Sequence, residues 1–290
     1  MFYSIKELVE QADLDFNGNV AELMIATEYE LTGRERDEVL RLMSRNLEVM
    51  KASVLLGLDE SKSRSGLTGG DAAKLHHYIQ SGKALSDYTV LTAAKNAIAV
   101  NEHNAKMGLV CATPTAGSAG CLPAVLTSAI EKLDLTEKQQ LDFLLAAGAF
   151  GLVIANNASI SGAEGGCQAE VGSASAMSAA ALVLAAGGSA FQASQAICFV
   201  IKNMLGLICD PVAGLVEVPC VKRNAMGASY AFIAADMALA GIESKIPVDE
   251  VIDAMYQVGS SLPTAFRETA EGGLATTPTG RRLSKEIFGE

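Results

Sequence analysis

Tryptophan is absent from this chain of 290 residues, and aromatic residues make up only 5% of it. Half of the residues are nonetheless hydrophobic, and alanine and glycine are abundant. Alternation of apolar and polar residues, which marks a half-buried strand, is also nearly missing. The apolar residues instead recur at helical spacing, as at Val39, Met43, Leu47, Met50 and Val54. The sequence therefore predicts an all-α fold of closely packed helices.

Positive charge is in short supply, since 22 Lys and Arg residues face 33 Asp and Glu residues and the formal net charge is −11. Because phosphate binding requires a basic face, we expect no nucleic-acid partner. Blocks of like charge and low-complexity segments are missing too, so no linker divides the chain. We expect residues 1–290 to form a single large helical domain.

The N-terminal residues lack the basic-then-apolar order of a signal peptide. Two apolar runs, residues 141–155 and 176–200, are the candidates for membrane helices. The first is short and contains Asp142, and the second is interrupted by Gly187 and Gly188, so both are interpreted as buried core helices. We expect a cytoplasmic protein without a membrane partner. Its cysteines then stay reduced and serve metal binding or catalysis rather than disulfides.

Residues typical of helix ends occur through the first half of the chain. Four of them stand where N-caps are expected, namely Ser4, Asn19, Asp87 and Thr136. Gly33 and Gly57 are candidate stops. The helices up to about residue 60 carry no motif that is diagnostic of a function.

Two glycine-rich loops also contain hydroxyl groups, S-G-L-T-G-G-D at residues 65–71 and T-P-T-A-G-S-A-G at residues 113–120. Backbone amides in such turns, often at a helix N-terminus, bind anions, and a small carboxylate would fit. The alternative is that both loops are only tight turns between helices. The candidate substrate-binding residues are Ser65, Gly66, Thr68, Gly69, Asn104, Thr113, Thr115, Gly117 and Ser118.

His103 lies directly before the second loop, on a predicted helix. Histidine serves as a general base or as a hydrogen-bonding anchor near neutral pH. Lys106 lies three residues further on and therefore shares a helix face with His103. His103 and Lys106 are the candidate catalytic residues, and a structural role for the histidine is the alternative.

Three of the six cysteines stand in turn-like settings. Cys167 follows two glycines, Cys209 precedes Asp-Pro, and Cys220 follows a proline. Thiolates hold iron–sulfur clusters, usually four of them, but the spacing here is not the compact ferredoxin pattern. We interpret the three as ligands of an iron–sulfur cluster, with three buried free thiols as the alternative. The other cysteines, Cys111, Cys121 and Cys198, are assigned to packing.

The motifs resemble those of one family, the alpha chain or alpha domain of the bacterial iron–sulfur L-serine dehydratases. The resemblance runs from about residue 60 to the end, and the cysteine motifs are its most specific part. The matching segments are residues 65–72, 101–108 (N-E-H-N-A-K-M-G), 113–120, 166–174 (G-C-Q-A-E-V-G-S-A), 209–220 (C-D-P-V-A-G-L-V-E-V-P-C), 223–225 (R-N-A) and 267–280 (R-E-T-A-E-G-G-L-A-T-T-P-T-G).

This resemblance implies the family's helical catalytic domain, with Cys167, Cys209 and Cys220 as ligands of a 4Fe–4S cluster. It implies deamination of L-serine to pyruvate and ammonia without pyridoxal phosphate. Three protein ligands leave one iron open, and an open metal site acts as a Lewis acid on a substrate oxygen. His103, Lys106 or a residue of a partner chain would then remove the α proton.

The chain departs from the single-chain members of this family in two ways. Their additional domain carries an S-H-T-x-G-P motif, which this sequence lacks, so we expect the two-chain type with a serine dehydratase beta chain as partner. Some members also offer a cysteine at the extreme C-terminus as a resting ligand of the fourth iron. This chain ends K-E-I-F-G-E, so another group would have to take that place.

Two other functions fit the same motifs. The first is a lyase of the L-cysteine desulfidase type, in which sulfide leaves instead of hydroxide. The second is a non-catalytic subunit whose cluster senses oxygen or iron. Turnover of serine against cysteine separates the first from a dehydratase, and a substrate-induced change in the cluster spectrum excludes the second.

Overall fold

A computed structural model describes residues 1–289 and contains thirteen α-helices in that range. Their bounds are α1 Ile5–Phe16, α2 Val20–Thr32, α3 Arg36–Leu56, α4 Asp71–Gln80, α5 Tyr88–Ala105, α6 Cys121–Leu133, α7 Glu137–Asn157, α8 Gly162–Gly165, α9 Ser173–Ala185, α10 Ala190–Met204, α11 Cys220–Leu239, α12 Val248–Ser261 and α13 Pro278–Phe288. A π-helix, Gln168–Gly172, leads directly into α9. Among the described residues the one pairing of strand type is an isolated parallel bridge between Cys209 and Arg267. The prediction of an all-α fold is confirmed.

The predicted N-caps begin the helices for the expected reason. The side chains of Ser4, Asn19 and Asp87 each accept a hydrogen bond from a backbone amide in the first turn that follows. Thr136 and Gln139 bond each other's backbone amides and form a complete capping box. Gly33 ends α2 in the left-handed conformation, at φ 72°. Each of these helix ends depends on the capping residue itself, which is why the sequence predicts them.

Helix α9 is the buried centre of the domain and packs against α6, α7, α10 and α11. Eleven of its thirteen residues are buried, most of them alanine or serine. Small residues on all sides allow four neighbouring helices to approach closely. Two serine hydroxyls of α9 form buried hydrogen bonds. Ser175 donates to the Gly227 carbonyl and Ser178 donates to the Ala174 carbonyl, both at 2.6 Å. The segment that precedes α9, which contains Cys167, is thereby held inside the protein.

The apolar helix α7 is long and apolar enough to cross a membrane by length and composition. In this fold 61% of its most apolar window is buried against other helices. It contacts α2, α3 and α9. Helix α7 therefore serves as a core helix here.

Candidate active site

The three cysteines in turn-like settings converge at one place in the core. Cys167 directly precedes the π-helix, Cys209 lies in the loop after α10, and Cys220 is the first residue of α11. All three side chains are buried. Burial raises the pKa of Cys167 and of Cys220 to about 12, and it raises the pKa of Cys209 as well. The charge of a Cys167 thiolate adds to the increase in pKa at Cys209 and Cys220, as it also does at Cys121.

The segments of Cys167 and Cys209 lie side by side. Gly166 adopts φ 76°, and a Cβ there would stand 2.8 Å from the Leu207 carbonyl oxygen. The amide of Gln168 donates to that same carbonyl at 3.0 Å, and its side-chain oxygen accepts from the Gly206 amide at 2.9 Å. Glycine is therefore required before Cys167 because the two chains approach so closely.

Arg223 and Asp210 tie the Cys209 loop to α11. The guanidinium nitrogen Nη2 lies 2.9 Å from Asp210 Oδ1, in ion-pair contact but without hydrogen-bond geometry. Its Nη1 donates to the Ile208 carbonyl at 2.8 Å. The second carboxylate oxygen of Asp210 accepts from the Leu274 amide at 2.7 Å. A Cβ at Gly273 would stand 2.3 Å from that oxygen. The segments 209–220, 223–225 and 267–280 thus meet at the buried carboxylate of Asp210.

Asn224 connects the Cys220 helix to the T-P-T-A-G-S-A-G loop. Its side-chain amide nitrogen donates to the carbonyls of Gly117, at 2.8 Å, and of Cys220, at 2.9 Å. Its side-chain oxygen accepts from the Gly120 amide at 3.1 Å. Asn224 is fully buried. A single asparagine therefore fixes the second glycine-rich loop beside Cys220.

Two carboxylates that the sequence analysis did not select lie beside Cys209. An oxygen of Glu170, an oxygen of Glu268 and the sulfur of Cys209 all lie within 4.8 Å of one another. Burial raises the pKa of Glu170, a hydrogen bond from Thr115 opposes that shift, and Glu268 adds to it. One sequence signal could have identified Glu170, because it is the sole charged residue between positions 165 and 185.

Glycine at position 162 makes room for this group. A Cβ there would stand 2.7 Å from Glu170 Oε2 and 3.1 Å from Cys209 Sγ. The other oxygen, Oε1, accepts from Thr115 Oγ1 at 2.7 Å. A Cβ at Gly117 would stand 3.0 Å from that same oxygen. Of the candidate substrate-binding residues, Thr115 and Gly117 are thus the two that contact the buried carboxylate.

The rest of the second loop is held by its own hydroxyl groups. Ser118 Oγ contacts Thr115 Oγ1 at 3.0 Å and donates to the Thr113 carbonyl at 3.2 Å. The side chain of Asn104 donates to the Ala116 carbonyl at 3.4 Å. The structure therefore groups Asn104, Thr113, Thr115, Gly117 and Ser118 around one loop, and their assignment to substrate stays a prediction.

The first glycine-rich loop binds an anion, but the anion is the chain's own Glu102. This carboxylate is fully buried. It accepts from the amides of Gly69 and Asp71, both at 3.0 Å, and of Ala72 at 3.3 Å. Thr68 Oγ1 donates to it at 3.3 Å. The amides at the N-terminus of α4 are therefore occupied by a protein carboxylate rather than left for a ligand.

A second carboxylate, Glu217, accepts hydrogen bonds from two serine hydroxyl groups at the start of the same loop. Ser63 donates to it at 2.6 Å and Ser65 at 2.7 Å. Gly66 follows Ser65 in an exposed turn, with φ 78°. Glu217 belongs to the segment that leads into Cys220, so the first loop anchors that cysteine. The assignment of Ser65, Gly66, Thr68 and Gly69 to substrate stays a prediction.

His103 and Lys106 lie at the C-terminal end of α5. Lys106 Nζ is 2.7 Å from Asp59 Oδ2, and the lysine side chain is only 12% exposed. Burial lowers the pKa of His103, the charge of Lys106 lowers it further, and Asp59 acts in the opposite direction. Within residues 1–289 neither side chain forms a hydrogen bond with the three cysteines or with Glu170.

Comparison with known proteins gives the family. The sequence matches the family described as "Serine dehydratase alpha chain" over residues 15–275. The chain belongs to the serine dehydratase alpha chain family. A Bacillus subtilis (strain 168) protein named "Probable L-serine dehydratase, alpha chain" is 60% identical over 289 residues, which cover 100% of this chain and 96% of that protein.

Two further relatives differ in length. The "L-serine dehydratase, alpha chain" of Peptoniphilus asaccharolyticus is 42% identical over 272 residues, which cover 93% of each chain. The "L-serine dehydratase" of Streptomyces coelicolor is 40% identical over 265 residues, which cover 89% of this chain but 57% of that protein. The expected resemblance to the two-chain serine dehydratases is confirmed at the level of the alpha chain.

In this member of the serine dehydratase alpha chain family, the donor set around Cys209 suits a metal centre. Burial disfavours the thiolate form of all three cysteines, so thiolates here require a cationic partner, and bound iron deprotonates its thiols. Soft thiolate donors favour iron–sulfur clusters, zinc or copper(I) over hard cations. The burial and the chemistry of the three cysteines are therefore compatible with an iron–sulfur cluster.

The other three cysteines pack against backbone carbonyls. Cys198 Sγ lies 3.8 Å from the Ile246 carbonyl, and Cys121 Sγ lies 3.5 Å from that of Asn224. Cys111 Sγ lies 3.6 Å from the Asn46 carbonyl. These contacts agree with the packing role expected for them.

Proposed function

We propose that this chain is the catalytic alpha subunit of an L-serine dehydratase, which converts L-serine to pyruvate and ammonia. Membership of the serine dehydratase alpha chain family supports the activity. The observation that carries the site is the burial of three cysteines from distant parts of the chain, on segments that Gln168, Arg223 and Asp210 tie together.

Cys167, Cys209 and Cys220 would hold a 4Fe–4S cluster. When bound, this cluster supplies a Lewis acid for the departing hydroxyl group, through an iron that no cysteine ligates. The reaction then needs no pyridoxal phosphate. Arg223 and Asp210 attach the Cys209 loop to the Cys220 helix, and Gln168 attaches the Cys167 segment to the Cys209 loop, so the ligands would be arranged before the cluster binds.

The loop at residues 113–118 would receive the carboxylate of serine. Its hydroxyls at Thr113, Thr115 and Ser118, together with the backbone at Gly117, lie beside Cys220 and Glu170. Asn104 fixes the outer part of that loop. Ser65, Thr68 and Gly69 would support the site through their contacts with Glu217 and Glu102, and Gly66 would form the turn between them.

His103 would accept the α proton of the substrate. Its lowered pKa keeps the imidazole neutral at neutral pH, and the neutral form is the one that accepts a proton. Lys106 is held in place by Asp59 and acts on His103 through its charge. His103 and Lys106 thus form one unit at the end of α5, next to the loop that would bind the substrate.

A beta chain would complete the pocket. Relatives of matching length are named alpha chains, whereas the part shared with the longer Streptomyces coelicolor relative is 57% of that protein. The remaining part of such longer proteins would correspond to a separate beta chain here. We place the complex in the cytoplasm, with L-serine as its substrate and with no membrane or nucleic-acid partner.

The test is anaerobic purification of the chain with and without a co-expressed beta chain, followed by assay of pyruvate from L-serine. We expect pyruvate from the mixture, at a rate that saturates with beta chain, and little from this chain alone. L-Cysteine is assayed alongside, because sulfide release at a comparable rate would favour the desulfidase-type alternative. A mixture that forms no pyruvate from serine would refute the proposed function.

A further inference from the structure

Glu170 is held in a fixed orientation beside Cys209. One of its oxygens accepts from Thr115 Oγ1, and the other lies next to the cysteine sulfur in the space left by Gly162. The side chain is only 8% exposed. A buried carboxylate with donors only from Thr115 and the Gly162 backbone retains unsatisfied negative charge, which is unfavourable unless a cation or further donors approach it.

Glu268 lies near the same point but belongs to a distant segment of the chain. Its amide donates to the Cys209 carbonyl at 2.8 Å, next to the bridge between Cys209 and Arg267. Its backbone is left-handed, with φ 64°, a conformation that a residue with a side chain rarely adopts. The fold therefore maintains a second carboxylate near Glu170 despite the repulsion between the two.

No lysine or arginine side chain of the described residues forms an ion pair with this carboxylate pair. The nearby cation, Arg223, is engaged with Asp210 and with the Ile208 carbonyl. A cation from outside the chain would therefore relieve the repulsion. L-Serine carries a cationic ammonium group one carbon from its carboxylate. The loop that contacts Glu170 through Thr115 and Gly117 also carries the Thr113 hydroxyl, which is buried without a partner among the described residues. Acceptors for the ammonium end and a donor for the carboxylate end therefore belong to neighbouring segments.

We propose that Glu170 and Glu268 bind the α-ammonium group of the substrate, and that this pair selects amino acids over hydroxy acids. The inference rests on the proposed function for the identity of the substrate. Oxygens of the two carboxylates lie within 4.8 Å of each other, and an ammonium nitrogen between them can donate to both. The cysteines would hold the cluster, and the two carboxylates would hold the ammonium end of the substrate.

The test is ligand binding to the anaerobic complex of this chain and the beta chain, measured by stopped-flow spectroscopy before the first turnover is complete. L-Serine is compared with glycerate, which has the same hydroxyl and carboxylate groups but no ammonium. Glu170→Gln should weaken serine binding roughly 100-fold, because it removes one partner of a buried charge pair. Glycerate binding should stay the same or become tighter. Glu268→Gln should act in the same direction, and because its side chain is exposed the variant should fold normally.

Glu164→Gln is the matched control. Glu164 is exposed, lies six residues before Glu170 and contacts Ser159, so its replacement should leave both affinities unchanged. Iron and sulfide contents are measured for each variant. Unchanged discrimination between serine and glycerate in both Glu170→Gln and Glu268→Gln would overturn the inference. Loss of iron in Glu170→Gln would also overturn it, because Glu170 would then be a ligand of the cluster.

This experiment separates the inference from the proposed function, because binding does not require turnover. A wild-type complex that forms pyruvate, with variants that discriminate normally, would refute only the ammonium site. A complex that binds serine through the two glutamates but forms no pyruvate would refute only the reaction.

Discussion

Arg223 lies 2.9 Å from Asp210 and joins the first turn of α11 to the loop that carries Cys209. Asp210 is 2% exposed, and its other oxygen is bound by the Leu274 amide. The ion pair thus connects the helix of Cys220, the loop of Cys209 and the segment after α12. Both side chains are largely buried, so loss of the ion pair should affect the fold as well as the site.

Arg223→Ala should lower the free energy of unfolding by about 3 kcal/mol, because it leaves a buried carboxylate without its cation. The measurement is urea denaturation of the protein followed by circular dichroism. The same variant should contain less iron after anaerobic purification, since the Cys209 loop loses its attachment to α11.

Lys222→Ala is the control for this substitution. Lys222 is the neighbouring residue in the chain, is about half exposed and pairs with Asp71 at the surface. Its loss should change the free energy of unfolding by less than about 1 kcal/mol and leave the iron content unchanged. Equal effects of the two variants would contradict the role given to Arg223.

Glu102→Gln should destabilise the protein by about 2 kcal/mol, because the carboxylate serves several backbone amides at the start of α4 and glutamine has only one acceptor oxygen. Glu48→Gln, at an exposed position on α3, is the control and should stay within about 0.5 kcal/mol of wild type. The urea midpoints of the two variants decide the question, and equal midpoints would show that Glu102 is dispensable.

His103 should titrate below its ordinary pKa of 6.5. Because the folded chain binds this proton less readily than the unfolded chain, the stability contributed by neutral His103 is complete above pH 6.5. It decreases as the pH falls from there through the lower folded pKa. Lys106→Met should raise the pKa of His103, since it removes a nearby positive charge. Proton NMR of the three histidines measures this, with His76 and His77 as internal references.

If Lys106→Met leaves the measured pKa of His103 unchanged, the proposed electrostatic coupling between Lys106 and His103 is wrong. Replacement of His103 alone should make the free energy of unfolding fall less between pH 6.5 and the pKa of His103 in the folded chain. His103→Gln is the variant for that comparison.

The fold could be predicted from the sequence where its causes are local. Ser4 and Thr136 begin their helices through side chains that reach amides three residues away. Gly57 was correctly placed at the end of α3, but for a different reason. Its φ is −76°, and a Cβ there would stand 1.9 Å from the Ala99 carbonyl oxygen of α5. Helix contact, rather than backbone freedom, requires glycine at this position.

The site could be predicted only in part, because its remaining residues act through tertiary contacts. The cysteines stand beside glycine and proline, which is a local signal. Glu170 and Glu102 gain their roles from burial, and no local pattern tells a buried carboxylate from an exposed one. The first glycine-rich loop has the predicted anion-binding chemistry, yet Glu102, 30 or more residues further along the chain, supplies the anion.

The most direct test of the account is the iron and acid-labile sulfide content of the anaerobically purified chain and its cysteine variants. We predict about four iron and four sulfide per wild-type chain, the same in Cys198→Ala, and a loss of most of both in Cys167→Ala, Cys209→Ala and Cys220→Ala. Full iron and sulfide content in Cys209→Ala, or none in the wild-type chain, would contradict the assignment of the three cysteines.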